Sequence, residues 1–376
     1  MAKIIKSDVI VYGNINATAG MISGAILVGD GTNLTSISGS LPITSIETTE
    51  TVVSGASFVS NDPYMADNSD DMYPTQHAVK TYIEYAISGY PEPTRGFASG
   101  GQNLVLSESD VIDKFDFSSN TTATDHGDLS STKVGGGGTS SLTKGYNHGG
   151  TGNMAGRTNA IDQFDFSSNT TAGDHGDLTE TPLYPAGQQS STQGFQSGGN
   201  TSNGFYSSTI NAYDFASNTT ATDHGDLTVG RASTSGHSSD SRGFTSGCYL
   251  LTTTDVIDQF DFSSNTTATD HGDLSLARYY TSGHSSSTQG FTSGGTSNVI
   301  DKFDFSSNTT ATDHGDLNNS PTGASGHSSS TQGFTSGGRS GVTINVIDAF
   351  DYSGNTTATD HGDLTLARDG VVGHQG

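Results

Sequence analysis

Apolar positions in most of this chain recur as short alternating runs, broken by glycine, serine and asparagine, and not at a helical period. The clearest run is Val299-Ile300-Asp301-Lys302-Phe303-Asp304-Phe305, which puts Phe303 and Phe305 on one face of an extended strand and Ile300 on the other. A strand that is apolar on both faces belongs in a sheet packed between neighbours. The Ser-Ser-Asn-Thr that follows favours a turn, because Asn and Ser side chains cap their own backbone.

The pattern repeats. FDFSSNTTATDHGDL, or a close variant, begins at Phe115, Phe164, Tyr213, Phe260, Phe303 and Phe350. Its histidines, at 126, 175, 224, 271, 314 and 361, are spaced by 49, 49, 47, 43 and 47 residues. A second element, Gly-Phe-(Thr/Gln/Ala)-Ser-Gly-Gly or a variant, precedes each copy, from 96, 145, 194, 243, 290 and 333. Each unit divides into four short strands; in the fifth they are expected at 283–287, 289–293, 299–305 and 310–317. Glycine pairs such as Gly294-Gly295 end the second strand, where the chain must bend without a side-chain clash.

Four strands in each of six units at this period predict an all-β fold, a six-bladed β-propeller over residues 93–376. A solenoid of the same units is the alternative, and the chain ends discriminate. The first unit lacks a first strand and opens on the second, at Arg95-Gly96-Phe97. After the last Asp-His-Gly-Asp, Leu366-Ala367-Arg368 leads into Val371-Val372-Gly373-His374, matching Leu276-Ala277-Arg278 and Gly283-His284. The C-terminal strand can therefore complete the first blade and close a ring, removing a sheet edge.

Residues 1–60 read differently, as a glycine-punctuated β stem. A single chain so thin cannot bury its Val and Ile residues, so self-association is expected; a globular β cap is the alternative. Residues 61–71 are an acidic linker within the 61–92 segment, and its spacing fits no EF-hand loop. One short helix is expected over 74–87, with Pro74 in its first turn and Ala78, Val79, Tyr82, Ile83, Ala86 and Ile87 in one stripe.

Composition narrows the function. The net charge is −25, with 14 Lys plus Arg against 39 Asp plus Glu, so no basic surface for nucleic acid is expected. No apolar run is long enough for membrane insertion. Cys248 is the single cysteine and stands where other repeats have Gly, which marks it as a small buried filler.

Several motifs resemble known families. The glycine pair, the aromatic-Asp strand end, the Asn turn and Leu-x-x-Arg (Leu276-Ala277-Arg278, Leu366-Ala367-Arg368 and, loosely, Val229-Gly230-Arg231) resemble the kelch repeat over residues 93–376. The Trp of that repeat is absent, so blade packing is expected to rely on the Phe pairs. The wording NVIDKFDFSSN…ATDHGDL…AR resembles repeats in fibre proteins of marine phages, including cyanophages. GDGTNLTSI at 29–37 and PTQHAVKTYIEYAIS at 74–88 resemble tail-fibre elements, the latter a helix near a trimer axis. These resemblances imply a homotrimer on the virion surface, with residues 1–60 docked to baseplate, tail or neck proteins.

Candidate chemistry is sparse. Six nearly identical Asp-His-Gly-Asp copies, one per blade, lie too far apart to form one asymmetric catalytic constellation. They are expected to make turns and blade-to-blade hydrogen bonds; no cofactor is expected, with calcium on each blade as the alternative. The Asp box of sialidase-type propellers fails, since Ala123 and Ser130 hold its Ser/Thr and aromatic positions. No enzyme is expected.

Binding has better support. Loops 3–4 are almost identical between units, whereas loops 2–3 (102–110, 151–160, 200–209, 249–255, 296–298 and 339–345) and loops 4–1 vary. In an up-and-down blade the variable loops share one face, which would gather Tyr184, Phe205, Tyr206, Tyr249, Leu250, Tyr279 and Tyr280. The function expected is a phage fibre whose propeller contacts a host-surface glycan or protein. A neck, capsid or decoration fibre without a receptor is the first alternative, and a glycan-active enzyme the second.

Overall fold

The computed structural model describes residues 92–376, apart from 104, 106, 153–155 and 250–252, and four two-residue strands nearer the N-terminus. The chain divides into two units, one of residues 1–61 with 68–75 and the other of 62–67 with 76–376. In the first, Val11–Tyr12 pairs parallel with Leu27–Val28, and Val59–Ser60 pairs parallel with Tyr73–Pro74. Pro74 thus lies in a strand pair and not in a helical turn. The rest of the expected stem, linker and helix falls outside the described residues.

The described part of the second unit is all-β: six four-stranded antiparallel sheets, each a simple meander. Blades 2 to 5 take four consecutive strands each, and blade 6 four with a small hairpin between its second and third; in blade 5 the strands are Thr281–Ser285, Gln289–Gly294, Val299–Asp304 and Thr312–Asp316. Blade 1 takes Arg95–Ser99, Val111–Asp116 and Thr124–Asp128, and its innermost strand is the chain's last, Val372–Gln375. That strand pairs antiparallel with the second, setting Val372 opposite Ser99 and His374 opposite Phe97. The expected closure is present, and the fold is a six-bladed propeller.

Each blade is apolar on both faces because each interface between blades holds its own core. Phe303 and Phe305 pack with Phe244 of blade 4, while Ile300 packs with Phe291, Phe350 and Tyr352 towards blade 6. The second aromatic of each FDF-type pair stacks on the second-strand aromatic of the preceding blade, as in Phe244–Phe305, with centroids 4.6 Å apart. The first aromatic lies over the glycine opposite it. An ideal Cβ on Gly290 would sit 2.3 Å from the Phe303 ring, so the ring occupies the space a side chain would need.

Buried charge ties four of the six loops 4–1 to the next blade. Arg368 donates to Asp113 at 2.9 Å and Arg278 to Asp301 at 2.9 Å, Arg231 pairs with Asp258, and Lys133 lies 3.2 Å from Asp162. Pro182 takes the cation's place before blade 3, and there the acid is the neutral Asn211, bonded to Gln196 and Thr179. Pro321 takes it before blade 6. Asp348 there keeps its carboxyl, pushed up by burial and held by Asn318. Cys248 is fully buried, as expected of a filler.

At the axis, the innermost strands meet through Gly138, Gly187, Gly236, Gly283, Gly326 and Gly373. An ideal Cβ on each would lie 2.0–2.4 Å from the carbonyl oxygen of a neighbouring glycine in the ring. Backbone meets backbone there, and no rotamer can relieve a clash. Gly283→Ala is therefore expected to cost about 1–3 kcal/mol or more, seen as a fall in thermal midpoint. Gly173→Ala, whose Cβ would meet nothing within 4 Å, is the matched control and should leave the midpoint nearly unchanged.

Candidate recognition face

The Asp-His-Gly-Asp segments hold neighbouring blades together. In each, the histidine Nε2–H donates to the carbonyl of the Asp between the paired aromatics of the next blade, from His126 to Asp165 (2.9 Å) round to His361 to Asp116 (2.8 Å). The first aspartate caps the glycine N–H two residues on, as Asp125 does for Gly127 at 3.0 Å. That glycine takes φ +116, and a Cβ on it would press on the carbonyl of Thr170 in the next blade. The Asn of each turn donates back, Asn120 to the Asp360 carbonyl at 2.8 Å. The histidine Nε2, the first aspartate and the turn asparagine thus serve architecture, the role expected for them, while Nδ1 of His126, His271 and His314 has no partner. Among the described residues, no three His, Cys, Asp or Glu side chains are grouped so as to hold a metal ion.

The two faces of the disc differ as the loop lengths foretold. Eight large apolar side chains stand out as exposed among the described residues, and all but Leu142 lie on the face of loops 2–3 and 4–1. Val105 (81% exposed), Phe205 (73%), Tyr249 and Val342 rise on loops 2–3, and Val229, Leu276 and Leu366 on loops 4–1. The tips are ordered by their own hydrogen bonds. Asn103 Oδ1 accepts from the Val105 and Ser107 amides, Asn200 bridges Tyr206, and Arg339–Ser340 pairs with Val342–Thr343. In blade 4 the hairpin extends through Tyr249, which pairs with Thr253.

Five of the seven aromatic and apolar residues expected there form one continuous run. Ring centroids are 4.8 Å apart for Tyr184–Tyr280, 5.2 Å for Tyr280–Tyr279, 4.9 Å for Tyr279–Tyr249 and 6.4 Å for Tyr249–Tyr206. Phe205 projects beside Tyr206 with its ring in solvent. Leu250 lies outside the described residues.

The run ends at the axis, where six equivalent residues close a ring of backbone hydrogen bonds. Tyr184 N donates to the Gly135 carbonyl (2.6 Å), Ser233 N to Tyr184 (2.9 Å) and Tyr280 N to Ser233 (2.9 Å). Gly323 N to Tyr280 (3.1 Å), Gly370 N to Gly323 (2.8 Å) and Gly135 N to Gly370 (3.0 Å) complete it. All six residues are left-handed. In three blades the residue is Gly, but Tyr184, Ser233 and Tyr280 hold φ of 56, 58 and 55, a conformation that strains any residue with a Cβ. Burial raises the Tyr184 and Tyr280 phenol pKa values above the ordinary tyrosine range, so both hydroxyls stay protonated at neutral pH.

Sequence reasoning passed over Ser233 and the apolar tips Val105, Val229 and Val342. The signal for Ser233 is present, because aligning the lead-ins to the first strand puts Tyr184, Ser233 and Tyr280 opposite Gly135, Gly323 and Gly370. No protein-family model matches the chain, and no curated protein matches it. The fold defines the class, a β-propeller, and a propeller carries no activity by itself.

Proposed function

We propose that this chain is a phage virion fibre protein, a homotrimer attached to the particle through residues 1–60, whose propeller turns its variable face to a glycan or protein of the host surface. One observation carries the recognition part: the repeat is almost invariant where loops 3–4 lie, while loop variation, exposed apolar tips and the tyrosine run fall together on the opposite face. Drift alone would not collect ordered aromatic tips on one side. The fibre part rests on the resemblance of the repeats and of the 29–37 and 74–88 segments to fibre proteins. Recognition here is non-enzymatic, since the repeated His and Asp groups are engaged in holding blades together.

The test uses the purified full chain on marine bacterial cells, cyanobacteria included, and on polysaccharide extracted from their surfaces. Replacing Phe205, Tyr206 and Tyr249 together with Ser should reduce binding at least tenfold without moving the thermal midpoint. Retention of the chain by no cell and no polysaccharide would favour a purely architectural fibre. Release of sugar from the polysaccharide would point to an enzyme.

A further inference from the structure

Asparagine followed by glycine occurs once in the chain, at Asn203-Gly204, on loop 2–3 of blade 3. The pair forms the tip of that loop. Ser202, Asn203, Gly204 and Phe205 are all exposed, with the Phe205 ring standing in solvent. Gly204 holds φ +77, and a Cβ on it would meet nothing within 4 Å, so its backbone lies in open space. Among the described residues, none hydrogen-bonds to the Asn203 carboxamide.

The asparagines of the repeated turn are placed differently. Asn120, Asn169, Asn218, Asn265, Asn308 and Asn355 are each followed by threonine. Each donates Nδ2–H to an Asp carbonyl of the preceding blade, at 2.8–3.4 Å. A carboxamide so held is turned away from its own chain, and a β-branched residue crowds the nitrogen that follows it. Asn203 has neither restraint. Its Cγ can meet the next amide nitrogen in a five-membered ring, and glycine offers that nitrogen with the least obstruction and the widest choice of backbone angles.

We infer that Asn203 deamidates without an enzyme, and that its conversion turns the blade 3 tip from a neutral contact into an anionic one. The Gly204 nitrogen gives up its proton and bonds to Asn203 Cγ; the Cγ–Nδ2 bond breaks, and ammonia leaves with that proton. Water then opens the five-membered imide at either carbonyl, giving aspartate or isoaspartate. The net change is one water taken up and one ammonia lost, with nothing oxidised or reduced. The tip's own bonding sets the pace, because the Gly204 N–H donates to the Thr201 carbonyl at 2.9 Å and must first let go. The other closing bonds run from Thr201 N–H and Oγ1–H to the Phe205 carbonyl, at 2.8 and 3.0 Å. A short exposed loop held by so few bonds opens at little cost. Isoaspartate lengthens the main chain of this turn by a methylene and displaces Phe205. Either product sets a carboxylate beside the Phe205 ring, where covering it with a partner would strip that charge of water. The modification stands on the local chemistry, and its effect on binding rests on the recognition reading.

The test ages the full chain in warm, mildly alkaline buffer and follows it by peptide mass spectrometry. A gain of about 1 Da should accumulate at Asn203, as aspartate and isoaspartate together, at least tenfold faster than at any of the six turn asparagines. Asn203→Gln, whose imide would need a six-membered ring, should stay unmodified over the same interval. On the cells and polysaccharide used above, the aged chain should bind at least threefold more weakly than the fresh one. Asn203→Asp should match the aged chain, and Asn203→Gln should lose nothing on ageing. No gain at Asn203 in ten times the interval that converts a free peptide of residues 200–206, or an equal gain at the turn asparagines, overturns the site. Conversion that leaves binding unchanged overturns its effect on the contact. If no cell or polysaccharide retains even the fresh chain, the recognition reading fails, and the mass readout alone decides the site.

Discussion

Deleting residues 368–376 should collapse the folded population, lowering the thermal midpoint by more than about 20 °C or abolishing a cooperative melt. The segment supplies the innermost strand of blade 1, and with it the ladder to Arg95–Ser99 and the Gly376 carbonyl that accepts from the Thr94 and Arg95 amides. Val371 and Val372 leave the core, at about 1.5–3 kcal/mol each. Asp113, fully buried, loses its Arg368 partner, and an uncompensated buried charge costs about 3–5 kcal/mol. The axial glycine ring and the left-handed ring each lose a member. Together these losses are comparable with the whole stability of a typical domain, about 5–15 kcal/mol. Circular dichroism melts of the two chains decide it. A midpoint within about 3 °C of the full chain would mean that closure contributes nothing. Restoration by a 368–376 peptide added in trans would locate the effect in the strand itself.

Acid should unfold the propeller well above the range where its carboxylates titrate. His237, His284, His327 and His374 follow the axial glycines and are fully buried. Each donates Nδ1–H to the carbonyl of the next innermost strand, His284 to His327 at 3.1 Å for example, leaving Nε2 to accept from a serine such as Ser293 at 2.8 Å. That bonding needs the neutral ring. Burial pushes His237 and His327 down to about 4, and His284 and His374 to about 3. His148, buried in blade 2 with neither ring nitrogen partnered, falls to about 3 as well.

The sign follows from linkage. The unfolded chain takes up protons near pH 6.5 while the folded chain does not, so stability is complete above that pH and is lost as pH falls towards 4. Each linked proton contributes about 1.4 kcal/mol per pH unit. Asp128, Asp273, Asp348 and Asp369, whose carboxyls are raised by burial, oppose the trend, while Asp116, Asp165, Asp261 and Asp304, lowered by hydrogen bonds from serines, act with it. Urea melts between pH 7 and 4.5 should show stability falling with a slope of about three protons or more. His284→Gln, copying the residue blade 3 carries as Gln188, should reduce that slope by about one. A flat profile across this range would show that the axial rings do not titrate on unfolding.

Much of the fold was legible in the sequence because a repeat states the same local problem six times. Alternation in VIDKFDF sets which residues face which neighbour, and the glycine pairs and Ser-Ser-Asn-Thr mark where strands stop. The C-terminal Val-Val-Gly-His, matched to a first strand missing from the opening unit, sufficed to infer closure. The proposed contact face was legible in part, since loop variability and aromatic content are properties of sequence, and five of the tyrosines so picked out form one run.

Tertiary structure decided what depends on residues of different blades meeting. Arg368 and Asp113 are far apart along the chain and pair only because the ring closes. The six glycines of the innermost strands look in sequence like loose turn residues, and only their convergence on the axis makes each one irreplaceable. Likewise nothing local distinguishes Tyr184 and Tyr280 from the other tyrosines. They take the left-handed conformation because six backbones close one hydrogen-bonded ring at the axis, and a sequence pattern has no axis.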